Sequence, residues 1–302
     1  MGGAELIMGN ILLFLTAFIW GTAFVSQRSG MDYIGPFTFN GLRWAIAALA
    51  VGLVDLVLYL RRKKTEGQGR NRYDYRKTLI GGLSCGALLM LASTFQQIGL
   101  VTTSAGKAGF ITALYILLVP FLNLFILKKH SPMRIWAAVA LGLFGMYLLC
   151  ISGDFSLGSA DAMLILSAIT YSFHILAIDH FGQEGDPIAM SALQFGITAL
   201  VSLIIAFGTE SPAIGAVLSA IVPLLYCGLM SGGVAYTLQM VAQPMTDPTV
   251  ASLIMSLESV FAALAGAVLL HERMAMRELM GCIIMFAAII LVQLPVRRSA
   301  HA

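Results

Sequence analysis

The stretch SAITYSFHILAIDHF (Ser167–Phe181) sets a tyrosine and a histidine in the middle of an apolar run. It decides the fold once it is laid over a second stretch, TAFIWGTAFVSQRSG (Thr16–Gly30). At an offset of 151 residues Ala17 meets Ala168, Trp20 meets Tyr171 and Pro36 meets Pro187, and Leu42, Ile46, Ala48 and Leu49 meet identical residues. Further on the offset becomes 143: Gln96 meets Gln239, Thr103 meets Thr246, Ala108 meets Ala251, Ile111 meets Ile254, and Met133–Arg134 meets Met276–Arg277. The change of eight is a single deletion in one loop. The ungapped register and the paired Pro, Gln and Met-Arg positions favour an internal repeat over chance.

Composition says what is repeated. Of 302 residues, 59% are hydrophobic and 11% charged, where a soluble domain carries about a quarter charged. The chain reads as an all-α protein that crosses a membrane many times. Ten spans of roughly 20 apolar residues are expected near 7–26, 36–60, 78–99, 104–127, 133–151, 159–179, 187–208, 214–240, 247–270 and 276–295. The N-terminal run has no cleavage pattern and reads as a retained first span. Cys85, Cys150, Cys227 and Cys282 lie singly in apolar runs and read as buried small hydrophobes, not as a metal site or disulfide framework. No cofactor motif is present.

Charge sets the orientation. The connection Arg61–Lys77, together with Lys128, Lys129, Arg134, Arg297 and Arg298, puts thirteen cations on one side against three on the other, Arg28, Arg273 and Arg277. The positive-inside rule then places both termini in the cytoplasm. The basic loop abuts a span and lacks a nucleic-acid-binding pattern, so it reads as solvated or as touching lipid headgroups. Five spans per repeat is an odd number, so the halves 1–152 and 153–302 are expected to be inserted upside down relative to each other. That is the architecture of secondary transporters, whose substrate site lies near the midplane between the halves.

The repeat also pairs polar faces. Thr16, Trp20 and Ala23 share one face of the first span, and their counterparts are Ser167, Tyr171 and His174. Ser93, Gln96 and Gln97 correspond to Tyr236, Gln239 and Met240, and Thr112 and Tyr115 to Met255 and Glu258. Such groups need partners in hydrocarbon and are expected to face inward. Trp20, Ser93, Gln96, Gln97, Thr112, Tyr115, Tyr171, His174, Tyr236 and Gln239 are therefore the candidates to line a substrate cavity. The fifth and tenth spans carry small residues instead, Ala138, Gly142 and Gly145 among them, and suit peripheral packing or a homodimer face.

Three charges inside spans are candidates for coupling or gating. A carboxylate such as Glu258 costs about 2.5–3.5 kcal/mol at mid-span; it could carry a proton, or lock a helix by a hydrogen bond. Arg43, about 10 Å inside its span by helix rise, could snorkel or form a carboxylate site. Lys107 could snorkel, or act as a gate or a contact for a substrate carboxylate. His174 could shuttle protons or be satisfied by a neighbour. The aromatic rings could pack, form a wall for an apolar or aromatic substrate moiety, or capture an amine.

FIWGTAFV in the first span, the spacing from Pro36 to Arg43, and GLVTTSAGKAGFITALYILLVP (Gly99–Pro120) resemble the first half of an EamA-type transporter of the drug/metabolite transporter superfamily. DPTVASLIMSLESVFAALAGAVLLHERM (Asp247–Met274) resembles its second half. Two departures are Lys129, where the first half often has Glu, and Ala263, opposite Pro120. The resemblance implies a ten-helix fold of two inverted five-helix repeats. It also implies a bacterial plasma (inner) membrane protein that exports small metabolites, often amino acids, by alternating access. The expected partners are the lipid bilayer, a small-molecule substrate and protons, with no nucleic acid. The alternatives are a facilitative uptake permease of the same fold and an intramembrane enzyme. An enzyme would need clustered metal ligands or a nucleophile with its base; HERM at His271 lacks the second His of H-E-x-x-H.

Overall fold

The computed structural model describes residues 3–65, 73–103, 105–126, 128, 131–150, 158–269 and 275–293. Arg70 and Arg72 of the basic loop, Lys129, the HERM motif and the tail arginines lie outside them, as does the Cys150 side chain. The described chain is helical with no strand. The helices are α1 (Gly3–Gly30), α2 (Pro36–Thr65), α3 (Tyr75–Leu100), α4 (Ala105–Thr112), α5 (Tyr115–Ile126), α6 (Met133–Cys150) and α7 (Ser159–Phe181). Then come α8 (Pro187–Thr209), α9 (Ile214–Ser219), α10 (Ile221–Leu225), a π-helical segment (Tyr226–Tyr236), α11 (Thr237–Ala242), α12 (Pro248–Met255), α13 (Glu258–Leu269) and α14 (Met276–Gln293).

Local chemistry starts these helices where the sequence punctuates them. Asp186 and Asp247 each precede a proline at the first helical position. Their carboxylates accept from backbone N–H groups, Asp186 from Ile188 at 3.0 Å and Asp247 from Thr249 at 2.8 Å. Asp74 caps α3 the same way, accepting from Arg76 N at 2.8 Å. The start of α2 is capped from far away in sequence. Glu210, at the end of α8, accepts from the backbone N–H groups of Phe37 at 2.9 Å and Thr38 at 2.8 Å.

Among the described residues eight helical stretches are long and apolar enough to cross a bilayer, and Met133–Leu149 is a shorter apolar helix. Large aliphatic and aromatic side chains such as Leu53, Phe125, Leu200, Phe207 and Ile283 lie on the outside, while the polar groups turn inward. That inverts a soluble protein and fits a hydrocarbon solvent.

Three of the expected spans are not plain helices. Between α4 and α5 the chain tightens at Ala113–Leu114, and between α12 and α13 at Ser256–Leu257, which are 143 residues apart. At both breaks the bond reaches back three residues, Leu114 N to Ile111 O and Leu257 N to Ile254 O, each 3.2 Å. The eighth expected span opens with two short helices and then widens into the π segment. There Gly228 and Gly232 let α2 approach: a Cβ at 228 would meet Ile46 and the Arg43 carbonyl, and one at 232 would meet Ala47.

Packing follows the repeat offsets. Helix α2 runs along α8, and α6 along α14. Trp44 stacks on Phe195, 151 residues away, with centroids 5.2 Å apart and planes at 21°. The Thr16 hydroxyl donates to Ala235 O at 3.2 Å, and its counterpart Ser167 donates to Ala92 O at 2.9 Å. Helices α6 and α14 cross where Gly145 faces Gly281, so closely that a Cβ on either would strike the other's carbonyl oxygen. This is the small-residue contact that lets membrane helices approach.

Candidate functional site

The two breaks put side chains into the middle of the bundle. Tyr115 and Glu258 are each the first residue after a break, and they meet: the Tyr115 hydroxyl donates to Glu258 Oε1 at 2.9 Å. Both belong to the wall of a cavity lined by helices of both halves of the chain. Helix α1 contributes Trp20, Phe24 and Gln27, α2 Arg43, α3 Gln96, and the end of α4 Thr112. From the second half come Tyr171 and Ile175 on α7, Ser231 and Tyr236 on the π segment, and Gln239 on α11.

An aromatic wall runs across this space. Trp20 and Tyr236 lie 4.5 Å apart, and the Tyr236 hydroxyl donates to the Tyr171 hydroxyl at 3.0 Å. Trp20 is anchored through its indole N–H, which donates to Ser231 O at 3.3 Å. Below Tyr171, Gln239 Nε2 donates to Gln243 Oε1 at 2.9 Å, and Gln243 Nε2 donates to Ile175 O. Gln239 Oε1 and Thr112 Oγ1 are buried without a protein partner.

Arg43 is 2% exposed and organises the opposite wall. Its Nε donates to Asn40 Oδ1 and its Nη1 to Gln27 Oε1, both at 3.0 Å. Its guanidinium lies over the Trp44 ring, 4.9 Å from the centroid, within cation–π range. Asn40 is itself fixed by donating to Ser93 Oγ at 3.1 Å and by accepting from the Trp44 indole at 3.0 Å.

Nine of the thirteen sequence candidates share the cavity wall: Trp20, Arg43, Gln96, Thr112, Tyr115, Tyr171, Tyr236, Gln239 and Glu258. The other four are not on the wall, and each is held by a protein partner. Ser93 serves the Arg43 network, and Gln97 Nε2 donates to Gln27 O at 3.4 Å. His174 lies behind the two tyrosines, with Nε2 bonded to Gln194 Oε1 at 2.9 Å. Lys107, 28% exposed, pairs with Asp161 at 2.8 Å, tying α4 to the start of α7.

Phe24, Gln27, Ile175 and Ser231 escaped the sequence reading. Gln27 continues the face of Thr16, Trp20 and Ala23 by one further turn, and Phe24 and Ile175 stand four residues past Trp20 and Tyr171. Those three were within reach of helical periodicity. Ser231 was not: it lies five residues before Tyr236, a spacing that shares a face only in a π-helix.

An "Uncharacterized transporter" of Archaeoglobus fulgidus is 30% identical over 299 residues, spanning 98% of this chain and 90% of that one. The "Uncharacterized transporter YoaV" of Bacillus subtilis is 24% identical over 280 residues, 90% and 91% of the two chains. An S-adenosylmethionine/S-adenosylhomocysteine transporter of Chlamydia muridarum is 24% identical over 194 residues, 62% of this chain and 58% of that one. A crystal structure with 15% identity superposes with a TM-score of 0.76 over 94% of this chain and 96% of that one, showing a shared fold. The EamA-like transporter family matches residues 7–151 and again 158–294. This multi-pass membrane protein therefore belongs to the EamA-like transporter family.

Proposed function

We propose that the protein is a secondary transporter that exports small organic metabolites, amino acids or related compounds, across the bacterial plasma membrane by alternating access. It is built as ten membrane-crossing segments in two inverted five-helix repeats, residues 1–152 and 153–302, with both termini in the cytoplasm. The observation that carries this reading is the meeting of Tyr115 and Glu258. Residues at equivalent points of two repeats touch only near the axis that relates them. Here that place is also the wall of a polar and aromatic cavity, beside two interrupted helices. A cavity at such a point can be opened to either side by rocking one half against the other. The matched hydroxyl bonds of Thr16 and Ser167 support the same symmetry.

Within this reading Trp20, Tyr171 and Tyr236 form the wall for the substrate's apolar part, and Glu258 is the group that couples transport to protons. The Lys107–Asp161 pair closes the outer end between α4 and α7.

Counterflow tests the proposal. Purified protein in vesicles preloaded with an unlabelled amino-acid mixture should draw in labelled amino acids from dilute outside solution, transiently above equilibrium. Empty vesicles and Trp20→Ala protein should not. Labelled uptake that never overshoots the equilibrium level for any amino acid would overturn the assigned substrate class.

A further inference from the structure

A cation inside hydrocarbon is costly unless it meets an opposite charge, and Arg43 meets none among the described residues. Its two protein acceptors, Asn40 Oδ1 and Gln27 Oε1, are neutral amides. No carboxylate among the described residues pairs with it. Its Nη2 is buried and has no hydrogen-bond partner. Yet Arg43 and Gln27 both stand on the cavity wall. The scaffold does not require this charge, because the equivalent position on α8 is the neutral Gln194, and α8 packs along α2 regardless.

We propose that Arg43 is the anion subsite of this cavity, taking the carboxylate of a substrate whose apolar or aromatic body lies against Trp20, Tyr171 and Tyr236. The inference rests on reading the cavity as the transport site, and it narrows the substrate to monocarboxylates. Asn40, Gln27 and the Trp44 face hold the guanidinium plane still, so its free edge is pre-organised for a planar acceptor. One guanidinium balances one negative charge. A phosphate dianion would bring two into a cavity whose wall also holds Glu258.

The test compares acids with their own amides on purified protein in lipid nanodiscs. The probes are 3-phenylpropionate against 3-phenylpropionamide, L-phenylalanine against L-phenylalaninamide, and phenyl phosphate, with binding read by calorimetry and thermal shift. Each acid should bind about ten-fold or more tightly than its amide, the difference expected for a charge-assisted bond. In Arg43→Gln that preference should vanish while amide affinity is kept. Equal binding of acid and amide by the wild type, no binding by either acid, or phenyl phosphate outcompeting both acids would each overturn the subsite without any variant. So would an acid preference that survives Arg43→Gln. Vesicle transport of the same compounds separates the two readings. Acid preference without transport sinks the transport function and leaves the subsite; transport without acid preference does the reverse.

Discussion

Arg43 and Gln194 stand 151 residues apart, at equivalent points of two helices that run along one another, and their surroundings differ. Around Arg43, which stands on the cavity wall, the first half assembles Gln27, Asn40, Trp44 and Ser93 into a network that leaves Nη2 buried without a hydrogen-bond partner. Around Gln194 the second half places His174, which takes the amide oxygen as its partner and lies behind the tyrosines rather than on the wall. The two equivalent positions thus carry different side chains with different surroundings. The α2 side presents charge, and the α7 and π-segment side presents aromatic surface. Under the proposed alternating access, a bundle that moves symmetrically would still bind an unsymmetrical molecule.

Substitutions at the two positions should separate the tasks. Arg43→Leu removes the proposed anion site and strands Asn40 and Gln27, so transport per folded molecule should fall about a hundred-fold or more. Gln194→Leu strands His174 and should cost about 1–3 kcal/mol of stability, with transport per folded molecule nearly unchanged. Vesicle initial rates, corrected for the folded fraction by size-exclusion chromatography, measure both. Equal losses would erase the asymmetry.

Glu258→Gln probes the axis where the halves meet. The amide keeps the size and an acceptor for the Tyr115 hydroxyl but cannot bind and release a proton. This variant should exchange substrate across equal gradients at a rate near wild type. Under an imposed pH difference it should not accumulate substrate, whereas wild type should. Accumulation by the variant, or indifference of wild type to the pH difference, would make the carboxylate structural.

The aromatic side should show a smaller effect. Tyr171→Ala should cut transport several-fold, about 1–1.5 kcal/mol of lost ring contact, with the folded yield maintained. A loss of folded protein alone would make Tyr171 a packing residue. Smallest for transport is Gly145→Val at the α6–α14 crossing. Its Cβ would strike the Gly281 oxygen, so thermal stability should drop by about 1–3 kcal/mol, while transport per folded molecule stays at the wild-type level.

These features differed in how far they could be read from the chain alone. Composition made the helical membrane fold legible, because hydrocarbon allows few other solutions, and the offsets pointed to α2 and α8, and to α6 and α14, which pack along one another. The polar faces led to eight residues of the cavity wall because helical spacing groups them, and Arg43 stood out as a charge inside a span. Backbone departures from that spacing were invisible. The tightened turns at Ala113 and Ser256 sit inside unbroken apolar runs, and the π segment shifts Ser231 into line with Tyr236. Partners were equally hidden: nothing before folding told that Asp161 would take Lys107, or that Gln194 would take His174. Both Arg43 and Lys107 read alike as cations inside spans that could snorkel or take a carboxylate, and the structure separates them: Lys107 pairs with Asp161, and Arg43 meets only neutral acceptors among the described residues.

The central claim is that the cavity between the halves is the transport path. Gln96→Cys, in a chain with all four native cysteines replaced by alanine, tests it directly. A bulky charged methanethiosulfonate should react at this wall position, stop vesicle transport, and react more slowly when saturating substrate is present. Full transport after stoichiometric labelling of Cys at position 96 would contradict the claim.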